Sequence, residues 1–325
     1  MQSLHVDRPK VLVSTMFEPQ HLSTLREHFP QVTFIHLPPT PLLPEEALNA
    51  EIFLRVGLGK KELSELLQQA RQVHWIHTST AGFDWVVVPE VLERKITITR
   101  SAASKAIPIA EYVVAYIFLL AKRFPVLARA QAAHQWTRPD TDEVRGRTVG
   151  VVGAGAIGCE VARLCSGLGM QVIGTKRDVV PLPNFSAILS PQELPLLLEQ
   201  SDYVVLTAPL TAETQGMIGE AQLRMMKPSA HLLNVARGPL LNEAALIRAL
   251  QEGWIAGACL DTFNEEPLPA DSPLWDLERL FITPHASWGS PRSMDYVLDE
   301  FIVNLTRYLQ GEELLNQPRN LEFGY

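Results

Sequence analysis

Apolar and polar positions along the chain alternate between short β-branched runs and stretches of helical period. In the first hundred residues, 11–13, 32–36, 52–54, 73–78 and 96–99 are predicted strands, and 21–28 and 60–70 are predicted helices. Short strands separated by helices predict a parallel, flavodoxin-like sheet. No phosphate-binding loop falls in this part. A longer helical pattern runs from about residue 109 to 123, with Pro108 near its first turn, where a missing N–H is harmless. Residues 125–147 are mixed and polar and read as a connection.

The α/β pattern resumes at Thr148. Val149, Val151 and Val152 lead into Gly153-x-Gly155-x-x-Gly158, a helical stretch follows, and Val172-Ile173 make the next strand. This β–α–β setting gives a glycine motif of that spacing its meaning as a dinucleotide site. Gly153 allows the turn out of the strand, Gly155 leaves the backbone bare for a pyrophosphate, and Gly158 lets helix and sheet approach. The helix is predicted to start at Ala156. Its first amides, at Ala156, Ile157 and Gly158, and its dipole attract phosphate. An acid usually closes the second strand of an NAD site; here Lys176 and Arg177 precede the first acid, Asp178. Two cations attract a 2′-phosphate, so NADP(H) is favoured and NAD(H) is the alternative.

Further strands are predicted at 203–206, 231–235, 255–260 and 281–282. Helices are predicted at 220–226, from an Asn242 cap to 251, and at about 291–310 with Gly311 as the stop. Thr207, Arg237, Asp261 and His285 follow these strands, at the edge of an α/β sheet where ligands bind.

Composition narrows the class. The chain has 325 residues, 46% hydrophobic and 20% charged, which suits two globular domains. Its net charge is −8 with no basic stripe, which argues against nucleic acid. The longest apolar run, 113–121, is too short to cross a bilayer, so no membrane partner is expected. No signal-peptide pattern opens the chain. Cys159, Cys165 and Cys259 lack metal or redox spacing and read as buried thiols in a reducing cytoplasm. His74 and His77 stand at odd spacing and make a poor metal pair, and no metal is expected. Arg55, after the third strand, has two readings, facing a cleft or exposed, of which exposure is favoured.

These motifs together resemble the D-isomer-specific 2-hydroxyacid dehydrogenase family. The matching pieces are Ala110-Glu111-Tyr112-Val113, the glycine motif, Ala208-Pro209-Leu210-Thr211 with Thr214, and Asn234-Val235-Ala236-Arg237-Gly238. Leu260-Asp261-Thr262-Phe263-x-x-Glu266-Pro267-Leu268 and Thr283-Pro284-His285 complete the core, with Ser79-Thr80-Ala81-Gly82-Phe83-Asp84 upstream and the tail near Asn316 and Gly324-Tyr325. The resemblance covers nearly the whole chain. Lys176 in place of the ribose acid resembles the NADPH-preferring glyoxylate/hydroxypyruvate reductases.

The resemblance implies two Rossmann-like or flavodoxin-like domains with the active site in the cleft between them. Residues 1–104 and 291–325 would form a discontinuous substrate domain and 105–290 the dinucleotide-binding domain, paired as a homodimer. It implies cofactor contacts at Ala208, Pro209, Thr214, Val235, Ala236 and Asp261, whose carboxylate would meet the nicotinamide carboxamide. Ala81 and Gly82 amides would hold the substrate carboxylate, and Trp288 would influence substrate choice.

Reduction of a 2-oxo acid needs a cation on the substrate oxygens and an acid for the developing alkoxide. The resemblance carries the first role to Arg237, whose planar guanidinium binds oxygens as a fork. It carries the second to His285, with Glu266 accepting from the other ring nitrogen and favouring the imidazolium. The expected reaction is NADPH-dependent reduction of glyoxylate, hydroxypyruvate or a similar small 2-oxo acid to the D-2-hydroxy acid. The alternatives are an NAD-dependent biosynthetic enzyme resembling phosphoglycerate dehydrogenase, and a non-catalytic dinucleotide sensor, against which the intact Arg, Glu and His argue.

Overall fold

The computed structural model describes residues 8–38, 42–80 and 86–318. The expected substrate contacts Ala81 and Gly82, and the tail beyond residue 318, lie outside the described residues. The chain divides into two compact units, Met1–Lys105 with Ser290–Tyr325, and Ala106–Gly289.

In the first unit the order is β1 (Lys10–Val13), α1 (Pro19–His28), β2 (Thr33–His36), β3 (Ile52–Arg55), α2 (Lys60–Gln69), β4 (Trp75–Thr78), α3 (Pro89–Glu93) and β5 (Thr97–Arg100). The sheet is parallel, in the flavodoxin order β2-β1-β3-β4-β5. Alternation along β1 sends Val11 and Val13 to one face and Leu12 to the other. The first face packs against Leu22 and Leu25 of α1 and Val297 and Phe301 of the C-terminal helix Ser293–Gln310. The second packs against Leu63, Leu66 and Leu67 of α2. With both faces covered, every residue of β3 and β4 is buried. That burial corrects the reading of Arg55 as exposed: it is 2% exposed and donates to Thr78 Oγ1 at 3.0 Å and to Leu58 O. Burial pulls its pKa down to about 10.

The long helix α4 (Ala103–Ala121) starts six residues before its apolar pattern does. Pro108 therefore sits in the second turn, not the first, and its nitrogen cannot donate to the carbonyl of Ser104. Its first six residues, Ala-Ser-Lys-Ala-Ile-Pro, carry no helical apolar period, which hides the start of the helix; Ser104 Oγ donates to Ser101 O at 3.0 Å there. Among the described residues, Ser104–Ala121 is the one helix long and apolar enough to cross a membrane, which the shorter apolar run had concealed. Half of that stretch is buried, with Ala110, Val113 and Ile117 in the core of the second unit. The supposed connection at 125–147 also contains a helix, α5 (Phe124–Ala132), begun by Arg123 at φ +56° and Pro125 in its first turn.

The second unit continues with β6 (Thr148–Val152), α6 (Ala156–Gly167), β7 (Gln171–Thr175), β8 (Ala187–Leu189), α7 (Leu194–Gln200) and β9 (Tyr203–Leu206). Next come α8 (Glu220–Met225), β10 (His231–Asn234), α9 (Glu243–Glu252), β11 (Gly257–Leu260) and β12 (Leu280–Ile282). All seven strands are parallel, in the order β12-β11-β10-β9-β6-β7-β8. Strand order reverses between β6 and β9, the switch point where α/β sheets bind ligands. Asn242 caps α9, its side chain accepting from Ala245 N at 3.0 Å, and Gly311 at φ +71° ends the C-terminal helix. Cys165 and Cys259 are buried, and burial pushes the Cys165 thiol up to about 12. Cys159, in the first turn of α6, is only half-buried.

Candidate active site

Parallel register aligns the strand ends. Val152 pairs with Thr175 and Leu206, Leu206 with Asn234, Asn234 with Leu260, and Leu260 with Ile282. The residues that follow, Gly153, Lys176, Thr207, Val235, Asp261 and Thr283, therefore leave the sheet in one row. The glycine turn stands at the switch point in that row. Gly153 has φ +106°, and a Cβ there would lie 2.6 Å from Ala208 N, so no side chain fits. Thr207 Oγ1 donates to Gly153 O at 2.8 Å, and Ala154 N donates to Thr175 O at 2.8 Å. Gly155 is the N-cap of α6, and the place of its missing Cβ has nothing within 4 Å. The bare backbone and the free first-turn amides, from Ala156 and Ile157 onward, fit a pyrophosphate.

Lys176 and Arg177 follow β7. Arg177 is not simply a solvated cation: its Nη2 lies 2.9 Å from Oε2 of Glu213. Glu213 belongs to the turn after β9, which Thr214 closes. Thr214 Oγ1 donates to Pro209 O at 2.7 Å and accepts from Thr211 N at 2.8 Å. Lys176 makes no ion pair among the described residues.

Arg237 lies three residues beyond β10 and is half-buried. Buried Asn234 shapes its loop, accepting from Ala236 N at 3.1 Å and donating to Arg237 O at 3.0 Å. Arg237 Nη1 donates to Ala236 O at 2.8 Å. Gly238 presses this loop against Phe263 and Asn264; a Cβ at Gly238 would coincide with the Phe263 backbone.

The loops after β11 and β12 are held as one piece. Asp261, 0% exposed, accepts from Thr283 Oγ1 at 2.5 Å, Ala286 N at 2.9 Å and Ser287 N at 3.0 Å. Thr283 has one hydroxyl proton, which goes to the carboxylate, so the Tyr116 hydroxyl donates to Thr283 Oγ1, at 2.5 Å. Burial, with the Asp261 charge adding to it, raises the Tyr116 pKa and keeps the phenol protonated. Between these anchors His285 adopts φ +51°, a conformation that costs energy for a non-glycine residue and that surrounding contacts must hold. Its Nδ1 lies 2.7 Å from Glu266 Oε2, while Glu266 Oε1 accepts from Phe263 N at 2.9 Å. With Nδ1 donating to the carboxylate, Nε2 is the remaining proton site of the ring. Trp288, beyond His285, is 47% exposed.

Arg237, Asp261, Glu266, His285 and the expected cofactor contacts thus lie in one unit, on loops from one sheet edge. Sequence reading passed over Glu213, Thr283, Tyr116 and Asn234 as separate contributors. Thr283 and Asn234 sit inside quoted motifs; Glu213 stands between the quoted Thr211 and Thr214, and nothing local marks it as the partner of Arg177.

A model of the D-isomer specific 2-hydroxyacid dehydrogenase, NAD binding domain, matches residues 114–287. The glyoxylate reductase of Korarchaeum cryptofilum is 34% identical over 322 residues, 95% of this chain and 96% of that protein. That of Thermofilum pendens is 33% identical over 318 residues, 94% of this chain and 93% of that protein. The crystal structure of a D-isomer specific 2-hydroxyacid dehydrogenase from Xanthobacter autotrophicus Py2, in complex with NADPH and MES, superposes with a TM-score of 0.83 at 27% identity. That match covers 98% of this chain and 100% of that one.

Proposed function

Because the chain belongs to the D-isomer specific 2-hydroxyacid dehydrogenase family, we propose that it reduces small 2-oxo acids of the glyoxylate and hydroxypyruvate type to D-2-hydroxy acids, with NADPH preferred. One observation carries the chemistry: a histidine with one nitrogen committed to a carboxylate stands on the same sheet edge as Arg237 and the glycine turn.

When bound, the nicotinamide cofactor would supply the hydride. Gly153, Gly155 and the first amides of α6 would hold its pyrophosphate, and Ala208, Pro209, Thr214, Val235, Ala236 and Asp261 would supply its further contacts. Asp261 already accepts three hydrogen bonds, so its main contribution is to fix the loop that carries His285. Lys176 and Arg177 supply the positive charge for a 2′-phosphate. Arg237 grips the carboxylate and carbonyl oxygens of the oxo acid and stabilises the charge that develops on the carbonyl oxygen. His285 gives its Nε2 proton to that oxygen, and Glu266 holds the ring by accepting from Nδ1 at 2.7 Å. Trp288 limits the size of the substrate side chain. Residues 1–104 with 291–325 make the substrate domain, and 105–290 make the cofactor domain.

The protein acts as a cytoplasmic homodimer without membrane or nucleic acid. Three free thiols suit a reducing compartment. Light scattering of the purified protein tests the dimer. Absorbance at 340 nm with NADPH or NADH against a panel of 2-oxo acids tests the reaction. Turnover of glyoxylate or hydroxypyruvate, faster with NADPH, is the expected result; equal use of the two cofactors rejects the preference.

A further inference from the structure

The Arg177–Glu213 pair joins two strands that are not neighbours. β6 lies between β9 and β7, so the strands that launch the two residues are about 10 Å apart, twice the interstrand spacing. Arg177 comes two residues after β7, and Glu213 lies in the turn after β9. Their 2.9 Å contact therefore reaches past the end of β6, where the glycine turn begins. We propose that Glu213 is a specificity-determining residue for the adenosine end of the cofactor, its carboxylate competing with a 2′-phosphate for the Arg177 guanidinium.

The inference rests on the reading of this edge as an NAD(P)H site. A 2′-phosphate approaching Lys176 and Arg177 meets a carboxylate already hydrogen-bonded to one of the two cations. Like charges repel, so the phosphate must displace Glu213 or share the guanidinium with it. Side chains 46% and 78% exposed make the pair weak in water, so displacement costs little. A cofactor without the 2′-phosphate reverses the sign. Its ribose hydroxyls are donors, and Glu213, from the turn after β9, is a carboxylate beside the Arg177 guanidinium, where β7 is followed by two cations before its first acid. The same side chain thus weakens NADPH binding and supports NADH.

The test measures the Kd of each cofactor, by tryptophan fluorescence quenching, and kcat/KM for glyoxylate reduction. The proteins are native, Glu213→Gln, Arg177→Gln and the double variant, with melting temperatures as a check on folding. Glu213→Gln is expected to tighten NADPH about two- to fivefold, the span of an exposed ion pair, and to weaken NADH. The NADPH gain should be much smaller when Arg177 is already Gln. A ratio of NADPH to NADH affinity that Glu213→Gln leaves unchanged overturns the inference, as does a gain undiminished by Arg177→Gln. Those two outcomes leave the dehydrogenase reading standing; failure of the native protein to bind either cofactor removes both.

Discussion

At the scale of single residues, charge and shape act together at Arg237. Its backbone is set by Asn234, and its half-buried guanidinium follows β10 in the row of strand ends. Arg237→Lys keeps the charge and loses the planar fork. We expect kcat/KM for the oxo acid to fall by about 10²-fold or more, with the Kd of NADPH within about threefold of native. Steady-state kinetics and a fluorescence titration measure the two quantities; near-native turnover would remove Arg237 from the reaction. His285 illustrates a different residue-scale point. Its left-handed backbone is held by neighbours, since Asp261 fixes the two amides that follow and Thr283 O accepts from His285 N at 3.0 Å.

At the scale of elements, the site depends on loops pressed together. The Arg237 loop meets the segment carrying Glu266 at Gly238, where there is no room for a methyl group. Gly238→Ala must push the two loops apart, separating Arg237 from the Glu266–His285 pair. The expected outcome is a fall of about tenfold or more in kcat/KM for the oxo acid. NADPH affinity should change far less, since the glycine turn lies elsewhere in the row. A crystal structure or kinetics with native values would show that the loops have slack. The Tyr116–Thr283–Asp261 chain does related work from α4, tying a helix to the loop after β12 by two short hydrogen bonds.

At the scale of the whole molecule, each unit holds a histidine that resists protonation. In the first, His77 is 0% exposed between Thr99 Oγ1 and Ser101 Oγ, both at 2.7 Å, and burial pulls its pKa down to about 3. In the second, His231 stacks on Tyr203 with ring centroids 5.6 Å apart. Burial, then the Arg123 charge, lowers its pKa to about 4, against an opposing effect of Asp142. Both are neutral when folded, whereas the unfolded chain protonates them below about pH 6.5. Unfolding therefore takes up protons between that pH and the folded values. Stability is unaffected above about 6.5 and declines as pH falls, by at most about 1.4 kcal/mol per pH unit for each histidine. Urea midpoints should drop between pH 7.5 and pH 5, before most carboxylates titrate. Constant midpoints over that range would mean that the imidazoles are solvated.

Much of this was legible in the residues themselves, because the signals are local. The near-continuous apolar runs of β1 and β3 report two covered faces, and a glycine motif between two strands reports the turn at the switch point. The order of Arg237, Glu266 and His285 after apolar runs places all three beyond strand ends, since parallel strands must end on the same side. Local signals also failed locally: α4 starts in a short mixed stretch with a proline and α5 hides in a mixed segment, where no apolar period marks a helix. What only the tertiary structure decided are contacts between loops of strands distant in sequence. Glu213 and Arg177 are 36 residues apart, and they meet because the strand order places β6 between β7 and β9. Tyr116 and Thr283 are 167 residues apart and are hydrogen-bonded only once α4 has packed. Arg55 looks like a surface cation until helices cover both faces of its sheet. Periodicity records which face of an element is buried; strand order and register decide which side chains meet there, and those emerge only when the elements pack.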